Sequence, residues 1–406
     1  MNPIYDVIII GAGASGLICA LESAKRGLKT LVLEKADVPG RKILVSGNGR
    51  CNLTNARVRP DCYGGDRELV QTALNQFSFQ DCKHYFEDLG VLLTEEDAGR
   101  WFPATGKATA VTEPLKLAAQ EHGAEILTGQ EAVRAKRGKT FTVQTKTGET
   151  YQSKNLVLAC GSCAYPQVTG TNAGYELAQS FGHTVITPRP TLCALNIKEK
   201  ALARLQGIRC QARLTAVSNN AEIARADGEI LFTNYGLSGP AALNISGETV
   251  RHLDGGNVTV LINFFPEVTD LNDFMRRRIA RLGGRIPKHF FAGILHENVA
   301  NLLIDFIGLR KNLPMREQTP NTLARAASVP GAWPVTAVSG RPWSEAMAAA
   351  GGVNTREINY NTFESHKCPR LFITGELLNV DGKSGGFNLH FAWSSGIAAA
   401  RNMPED

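Results

Sequence analysis

Three glycines and one glutamate have the types and spacing of a site for a pyrophosphate. Gly11, Gly13 and Gly16 fit the pattern G-x-G-x-x-G, and Glu34 follows at the distance typical of such sites. In this pattern the first glycine makes a tight turn, the second lets the backbone approach the phosphates, and the third lets a helix pack against a strand. The glutamate accepts hydrogen bonds from a ribose 2′-hydroxyl and disfavours a 2′-phosphate. These residues predict a site for an adenine dinucleotide.

The elements that must position these residues lie on either side of them. Residues 7–10 are a β-branched run, typical of a strand buried on both faces of a parallel sheet. Residues 17–24 repeat apolar positions with the period of a helix, and Gly27 stands where a left-handed cap would end it. Residues 30–33 form a second apolar strand that ends on Glu34. A helix N-terminus attracts phosphates, so this context argues against a glycine-rich turn of some other α/β protein.

A second polar segment follows the second strand. Residues 40–55 combine glycines, asparagines and the arginines Arg41 and Arg50, a composition that does not make a packed core. Such a segment predicts a loop close to a flat polar ligand, with backbone N–H groups as donors and arginines as anion partners. The alternative is a surface loop rich in Gly and Asn by chance, and its position directly after the second strand favours the ligand.

The stretch GRKILVSGNGRCNLTN, residues 40–55, closely resembles the signature of the BaiN-type, aminoacetone oxidase-like NAD(P)/FAD-dependent oxidoreductases. The resemblance continues in LFTNYGLSGP (231–240) and, near the C-terminus, in GGFNLHFAWSSG (385–396). It implies an α/β fold, a Rossmann-like FAD-binding domain of the glutathione-reductase type with an inserted strand-rich domain that carries a helical subdomain. We place the FAD-binding domain at 1–188 and 345–406, the strand-rich insert at 189–268 and 326–344, and the helical subdomain at 269–325.

The resemblance also implies non-covalently bound FAD. Together with the first motif it gives these further cofactor contacts: Ala14, Ser15, Lys35, Arg41, Lys42, Ser46, Gly47, Asn48, Arg50, Cys51, Asn52, Val133, Ala159, Cys160, Gly161, Gly375, Glu376, Asp381, Gly386, Phe387, Asn388 and Leu389. Val133 is expected to contact adenine through its backbone, Asp381 the ribityl–pyrophosphate portion, and residues 386–389 the pyrimidine edge of the flavin. Taken alone, Asp381 is equally a turn-forming aspartate before a glycine.

Four side chains in or beside these segments are candidate catalytic residues, as proton donors or substrate-binding groups. They are Arg50, Cys51, Tyr165 and His390. A fifth feature, the C-x-x-C of residues 160–163, is either a redox-active dithiol or two cysteines at a strand end. We favour the second interpretation because no second nucleotide-binding fingerprint follows it.

The resemblance implies an FAD-dependent oxidoreductase that moves a hydride or electrons between a small organic substrate and the flavin. NAD(P)H is a candidate transient reductant, since only one G-x-G-x-x-G follows a strand. Two alternatives stay open: a flavin-dependent tRNA-modifying enzyme, and a flavin-binding redox sensor without turnover. Family members act on unlike substrates, so the substrate itself is not predicted.

The composition of the chain indicates which kinds of partner and which compartment to expect. The chain has 406 residues, 43% of them hydrophobic and 20% charged, as in ordinary globular proteins. The net charge of +6 is modest, and we interpret the one tight basic run, residues 276–278, as a solvated helix face, so we do not expect a nucleic-acid partner. No apolar run approaches the ~20 residues of a membrane span. A first strand near residue 4 and nine scattered cysteines favour a cytoplasmic location, and dispersed histidines predict no metal site.

Overall fold

The computed structural model describes residues 3–405 and divides them into two compact units. Unit 1 runs up to Pro190 and resumes at Ala346, and unit 2 is Thr191–Glu345. The expected ends of the FAD-binding domain, at residues 188 and 345, differ by at most two residues from these positions, whereas the expected boundaries of the helical subdomain stay a prediction.

The strands and helices are numbered in chain order. The strands are β1 Ile4–Ile10, β2 Thr30–Leu33, β3 Thr54–Asn55, β4 Tyr63–Gly65, β5 Leu93–Glu96, β6 Arg100–Pro103, β7 Glu125–Leu127, β8 Ala132–Arg137, β9 Phe141–Thr145, β10 Thr150–Leu158, β11 Val185–Thr191, β12 Leu195–Ile197, β13 Arg209–Ser218, β14 Ala221–Phe232, β15 Gly236–Ser238, β16 Val258–Asn263, β17 Trp333–Gly340, β18 Ala348–Val353, β19 Leu371–Ile373 and β20 Val380–Gly382. The helices are α1 Ala14–Lys25, α2 Arg41–Gly49, α3 Arg67–Gln76, α4 Phe79–Asp88, α5 Thr109–Glu121, α6 Ala173–Ser180, α7 Pro240–His252, α8 Leu271–Leu282, α9 Pro287–Phe291, α10 Glu297–Ile307, α11 Pro320–Ser328 and α12 Phe387–Asn402.

Unit 1 is built on a mostly parallel sheet in the order β7-β2-β1-β10-β9-β8, with β19 paired to β10. The pairs β7–β2, β2–β1, β1–β10 and β10–β19 are parallel, whereas β10–β9 and β9–β8 are antiparallel. Val7, Ile8 and Ile9 have no exposed surface, as expected of a strand covered on both faces. This sheet confirms the predicted Rossmann-like class. The carboxyl ends of β1, β2, β10 and β19 meet at one edge, which is where such folds bind ligands.

The last helix, α12, packs closely against the first helix, α1. A Cβ atom at Gly396 of α12 would lie 2.4 Å from the carbonyl oxygen of Ser15 in α1, so only glycine allows this approach. Residues 398–400 of α12 are alanines without exposed surface. The predicted small-residue helix is therefore confirmed, and its composition reflects close contact between helices.

The polar segment of residues 40–55 is not entirely a loop. Its first part is the helix α2, which is broken at Ser46, Gly47 and Asn48 by non-helical backbone angles. Gly47 and Asn48 adopt left-handed conformations with φ of 55° and 59°. The prediction of an irregular segment was therefore wrong for the residues from Arg41 up to that break. The Gly40 N–H, at the start of α2, donates to the Ala12 carbonyl at 2.8 Å. This bond joins distant parts of the chain, so the local sequence does not predict it.

Unit 2 contains a closed barrel in the order β12-β15-β14-β13-β16-β17, with every neighbouring pair antiparallel. Leu214, Ile230, Phe232 and Val260 fill its core without exposed surface. The helices α8 to α11 lie in the chain between β16 and β17, in the region predicted to be helical. The helix α7 was not predicted.

Among the described residues, 3–405, no helix combines the length and apolar character needed to cross a bilayer.

Candidate cofactor-binding site

The first glycine motif forms an open cradle at the N-terminus of α1. Gly11 has φ of +104°, and a Cβ there would lie 2.5 Å from the carbonyl oxygen of Ala159. A Cβ at Gly16 would lie 1.9 Å from the Gly11 carbonyl oxygen, whereas a Cβ at Gly13 would meet nothing within 4 Å. The helix has no side-chain cap and no acidic residue in its first turn, which includes Ala14. Its free N–H groups therefore face open space and suit a pyrophosphate.

Glu34 is fixed at the carboxyl end of β2 by two backbone groups. Its Oε2 atom accepts from the Ala12 N–H at 2.7 Å, and its Oε1 atom accepts from the Ala36 N–H at 2.8 Å. Only 8% of Glu34 is exposed. Each carboxylate oxygen keeps a further lone pair, so the group can still accept from a ribose hydroxyl. The side chain of Lys35 instead donates to the Thr169 carbonyl at 2.7 Å, which makes any contact of its ammonium group with FAD compete with that bond.

Val133 lies at an irregularity of β8, three residues after Gln130, whose N–H donates to the Glu34 carbonyl at 2.8 Å. Ala132 pairs with Thr145 and Arg134 with Gln144, so the register skips Val133, whose side chain is 51% exposed. A residue that is extra in one strand has backbone groups that no residue of the partner strand faces. This bulge supports the expectation that Val133 offers its backbone to the adenine, which stays a prediction.

The carboxyl end of β19 approaches α1 and the polar segment. A Cβ at Gly375 would lie 2.6 Å from Ser15 Oγ, so this strand end lies directly on the first turn of α1. Lys42 Nζ, from α2, forms an ion pair of 2.5 Å with Glu376 Oε2. The other carboxylate oxygen of Glu376 and the hydroxyl of Thr374 are buried and have no hydrogen-bond partner among the described residues. Two buried acceptors are thus available beside the cradle.

The N-terminus of α12 provides the last part of the site. Its cap residue Gly386 has φ of +95°, and a Cβ there would lie 2.9 Å from Asn52 Oδ1, another buried atom without a partner in the described chain. Asp381, the middle residue of β20, is buried. The Asn388 side chain accepts from the Gly382 N–H and donates to the Gly382 carbonyl, both at 2.8 Å. The Asn388 amide keeps one N–H group and one oxygen lone pair that these two bonds do not use.

The structure also gives the neighbours of the other residues that were predicted to contact the cofactor. Arg41 is half-exposed and lies 3.7 Å from Asp37. Ser46 donates to the Ile43 carbonyl at 2.7 Å, so its hydroxyl oxygen can still accept. Ala159 to Gly161 continue from the end of β10, beside Gly11. Phe387 is buried edge-to-face against Tyr63, while Leu389 is partly buried.

Comparison with known proteins identifies the family of the chain. The family model described as HI0933-like protein Rossmann domain matches residues 5–402. The chain belongs to this family. The predicted resemblance is thereby confirmed, and HI0933-like proteins of this type are FAD-dependent oxidoreductases.

Two relatives of this HI0933-like protein match it over nearly their whole lengths. The 3-dehydro-bile acid delta(4,6)-reductase of Clostridium scindens is 32% identical, with 98% of each chain covered. The ribosomal RNA dihydrouridine synthase of Haemophilus influenzae is 31% identical, with 99% of each covered. Among solved structures, the 3-ketosteroid delta1-dehydrogenase of Sterolibacterium denitrificans in complex with 1,4-androstadiene-3,17-dione matches with a TM-score of 0.50 and 14% identity, covering 99% of each chain, which shows a shared fold.

The residues of this HI0933-like chain fit FAD. The uncapped α1 terminus suits the pyrophosphate, Glu34 suits the ribose, and the uncapped α12 terminus suits a negatively charged flavin ring. The buried acceptors of Asn52, Thr374 and Glu376 need donors, which the hydroxyl groups of a ribityl chain provide. Sequence reasoning missed Thr374, although its position directly before the Gly-Glu strand end was a usable signal.

The structure corrects the catalytic prediction for His390. This residue has no exposed surface. Its Nδ1 atom lies 2.7 Å from Thr54 Oγ1 and its Nε2 atom 3.1 Å from the Phe77 carbonyl oxygen. Burial lowers the pKa of His390 to about 4, so the ring is neutral and its Nε2–H donates to Phe77. Because both nitrogens are used inside the protein, His390 is a structural residue and we withdraw it as a proton donor.

The cysteines do not support thiol chemistry. Cys51 is fully buried, and burial raises its pKa to about 12. Burial likewise raises the pKa of Cys160 to about 12 and raises the pKa of Cys163. A reactive thiol needs a lowered pKa, so these thiols are poor nucleophiles. The role of Cys51 as a proton donor or substrate-binding group stays a prediction, and the absence of exposed surface at its side chain argues against it; its backbone φ is +59°.

Arg50 and Tyr165 keep accessible side chains. The Arg50 guanidinium is paired with Glu96 and stacks 4.3 Å from the centre of the Phe102 ring, with 40% of the side chain exposed. Tyr165 is partly exposed and has φ of +60°, which is unusual for an aromatic residue. Its carbonyl accepts from the N–H groups of residues 168–170, which holds this conformation. Strained residues of this kind are concentrated at functional sites, so Tyr165 stays a candidate, and Arg50 stays one because its side chain is accessible.

No metal site competes with this assignment in the described chain, since residues 3–405 contain no group of three His, Cys, Asp or Glu side chains suited to a metal ion.

Proposed function

We propose that this protein is an NAD(P)H-fed, FAD-dependent reductase of a ring carbon–carbon double bond conjugated with a carbonyl group. The observation that carries the proposal is the full-length similarity to two relatives with unlike substrates. One relative is named as a reductase of bile acid double bonds, and the other as the synthase of dihydrouridine, which is uridine with its ring double bond saturated. The shared element of the two names is hydrogen addition to a ring, and this is the step we assign to the present chain.

Such a reduction adds a hydride to one carbon and a proton to the neighbouring carbon. Bound FAD supplies the hydride-transfer chemistry, with NAD(P)H as the source of the electrons. The chain must hold the substrate, exclude water and deliver the proton. The guanidinium of Arg50 is a rigid fork of N–H donors, so it suits an electron-rich oxygen of the substrate. Tyr165 retains an O–H donor, and we assign the proton to it.

Unit 2 supports a transient rather than a stable nicotinamide site. Its sheet is an antiparallel barrel, whereas a stable dinucleotide domain is built from parallel β-α-β units. NAD(P)H would therefore deliver its hydride to the flavin and leave before the substrate enters. Glu34 belongs to the FAD cradle and does not select between NADH and NADPH.

The test is an anaerobic titration of the purified FAD-loaded protein with NADH and with NADPH, followed by the flavin absorbance. Rapid bleaching by either nucleotide, and recovery of the colour when a cyclic enone such as a 3-oxo-4-ene steroid is added, is the expected result. The saturated ketone is the matched control and should leave the flavin reduced. If neither nucleotide bleaches the flavin, while the chemically reduced protein is rapidly reoxidised by oxygen, the protein is an oxidase and the proposal fails.

A second candidate function is reduction of a uracil ring in RNA. It is favoured by the H. influenzae relative, whose similarity covers 99% of this chain at 31% identity. The test is incubation of unmodified ribosomal RNA with the protein and NADPH, followed by mass spectrometry of the nucleosides. Dihydrouridine formed only when the protein and NADPH are both present would support this function, and its absence despite rapid enone reduction would exclude it.

A further inference from the structure

The excess positive charge of the chain lies in one part of unit 2. Residues 271–325 contain ten Lys and Arg residues and four Asp and Glu residues, a net charge of +6. The whole chain has 44 and 38, so the remaining residues contain 34 of each sign and are neutral. The segment is rich in arginine rather than lysine: its cations are Arg276, Arg277, Arg278, Arg281, Arg285, Lys288, Arg310, Lys311, Arg316 and Arg325. A net charge concentrated in this way can recognise an anionic partner.

The acidic residues of this segment are already engaged. Asp273 lies 3.2 Å from Arg276 and 2.9 Å from Arg277, and the other three acids each lie within 4.0 Å of a cation. Two arginines have internal roles, because Arg278 donates to the carbonyls of Phe290 and Ala292 and Arg325 donates to that of Phe306. The remaining positive charge is therefore not neutralised by the segment itself.

Five of the arginines form one exposed surface at the end of α8. The apolar side of this helix packs inward through Met275, which leaves Arg276, Arg277 and Arg281 exposed. Arg285 follows in the next turn. The Arg316 N–H donates to the Gly283 carbonyl and the Met315 N–H donates to the Arg285 carbonyl, both at 2.9 Å. These bonds place Arg316 beside the arginines of α8, and 70% of its side chain is exposed. We call Arg276, Arg277, Arg281, Arg285 and Arg316 the arginine surface.

One charge of this surface repels a neighbouring arginine. Burial and the neighbouring charge of Arg285 lower the pKa of Arg278 beneath the surface. Arg281 and Arg285 have no carboxylate within ion-pair distance among the residues that the structure describes. A polyanion bound here would relieve this repulsion.

We propose that the arginine surface binds the phosphate backbone of RNA. Guanidinium groups bind phosphate oxygens through two parallel hydrogen bonds and stack on bases, which lysine does not do. The only large apolar side chain that is strongly exposed between 271 and 325 in the described chain is Phe306, which lies under Arg325 at 5.5 Å, so the surface has nothing to insert into a bilayer. This inference rests on the second candidate function, uracil reduction in RNA, and assigns the surface that would hold the substrate.

The test compares two triple variants of the FAD-loaded protein. The first replaces Arg281, Arg285 and Arg316 by glutamine. The matched control replaces Arg134, Lys136 and Lys139 by glutamine; these are exposed residues of unit 1 that have no ion pair in the described chain. Binding of a fluorescein-labelled single-stranded RNA is measured by fluorescence anisotropy between about 50 and 200 mM KCl. FAD content and the unfolding temperature are measured for both variants.

The wild type should lose about 20-fold more affinity than the first variant over this salt range, because three lost phosphate contacts lower the salt slope by about 2. The control variant should keep the slope of the wild type. Lysine at the same three positions should also keep it, since the charges remain. An equal or larger loss in the control variant would overturn the assignment of the surface. Binding to vesicles of anionic lipid without binding to RNA would overturn the choice of partner.

The nucleoside assay separates this inference from the function on which it rests. RNA binding through the arginine surface without dihydrouridine formation would leave the surface established and remove uracil reduction. Dihydrouridine formation that is unchanged in the first variant, with unchanged RNA affinity, would keep the function and remove the surface.

Discussion

Replacing Gly13 by alanine should weaken FAD binding without harming the fold. An alanine Cβ there would meet no protein atom within 4 Å, and the backbone angles of Gly13, φ −78° and ψ −166°, suit any residue. The space beside Gly13 is the space through which phosphates approach the N-terminus of α1. The added methyl group would therefore displace the pyrophosphate without touching the protein.

Gly16→Ala is the matched control, since it makes the same change in the same motif. Its Cβ would lie 1.9 Å from the Gly11 carbonyl oxygen and 3.3 Å from Ala159 Cβ. Overpacking of this kind costs about 1–3 kcal/mol of folding stability. Gly16→Ala should therefore lower the unfolding temperature even without FAD. Gly13→Ala should leave the apoprotein unchanged or stabilise it by about 0.4–1 kcal/mol, because alanine restricts the unfolded chain.

The expected loss of affinity follows from the bonds at risk. Hydrogen bonds from backbone N–H groups to charged oxygens contribute about 1.5–3 kcal/mol each. Losing one or two of them in Gly13→Ala amounts to about 3 kcal/mol, or a Kd about 100-fold higher. The assay is titration of FAD into the apoprotein, followed by flavin fluorescence, together with thermal unfolding of the apoprotein. A variant that binds FAD as tightly as the wild type would refute the placement of the pyrophosphate at α1.

Three further predictions concern the catalytic candidates and the pH. His390→Gln should remove a pH dependence: the His390 pKa falls from 6.5 to about 4 on folding, so only the unfolded chain binds a proton in this window. Between about pH 7 and 5 the unfolding free energy of the wild type should fall by about 2 kcal/mol more than that of the variant, as measured by urea unfolding. Equal losses in the two proteins would contradict a buried neutral ring. Tyr165→Phe should lower kcat for enone reduction by about 100-fold while flavin bleaching by NAD(P)H is unchanged, and an unchanged kcat would remove Tyr165 as the proton donor. Cys160→Ala with Cys163→Ala should leave turnover unchanged in steady-state assays, whereas lost turnover would restore the dithiol interpretation.

The cofactor-binding half of the fold could be predicted because its signals are local. The β-branched run before Gly11, the helical period after it and the apolar strand before Glu34 each specify their own element, and β1, α1 and β2 follow them. The same holds for α12, whose small residues predict a tightly packed helix. Positions at strand ends could be assigned to the site since parallel strands bring their carboxyl ends to one edge.

What the sequence could not show depends on tertiary contacts. The helix α7 contains Ser246, Gly247 and Thr249, which have poor helix propensity but are buried in unit 2. The residues next to His390 in the sequence predict a position near the flavin. Its burial and its hydrogen bonds to Thr54 and Phe77, however, depend on distant parts of the chain. Sequence proximity to a motif therefore does not show whether a side chain is accessible to a ligand.

The buried acceptors around the cradle link cofactor binding to the stability of unit 1. Asn52 Oδ1 lies in the polar segment, Thr374 Oγ1 and Glu376 Oε1 lie at the end of β19, and none of the three has a hydrogen-bond partner within the described chain. A buried polar atom that finds no partner costs about 1–3 kcal/mol of folding stability. A ligand that ends at the pyrophosphate would occupy the α1 terminus and leave these acceptors unsatisfied, whereas a hydroxyl-bearing chain that continues toward α12 can satisfy them. We therefore expect the site to prefer a whole flavin dinucleotide to its adenylate half, with contacts from the glycine motif near the start of the chain and from three further segments, the last of them at α12.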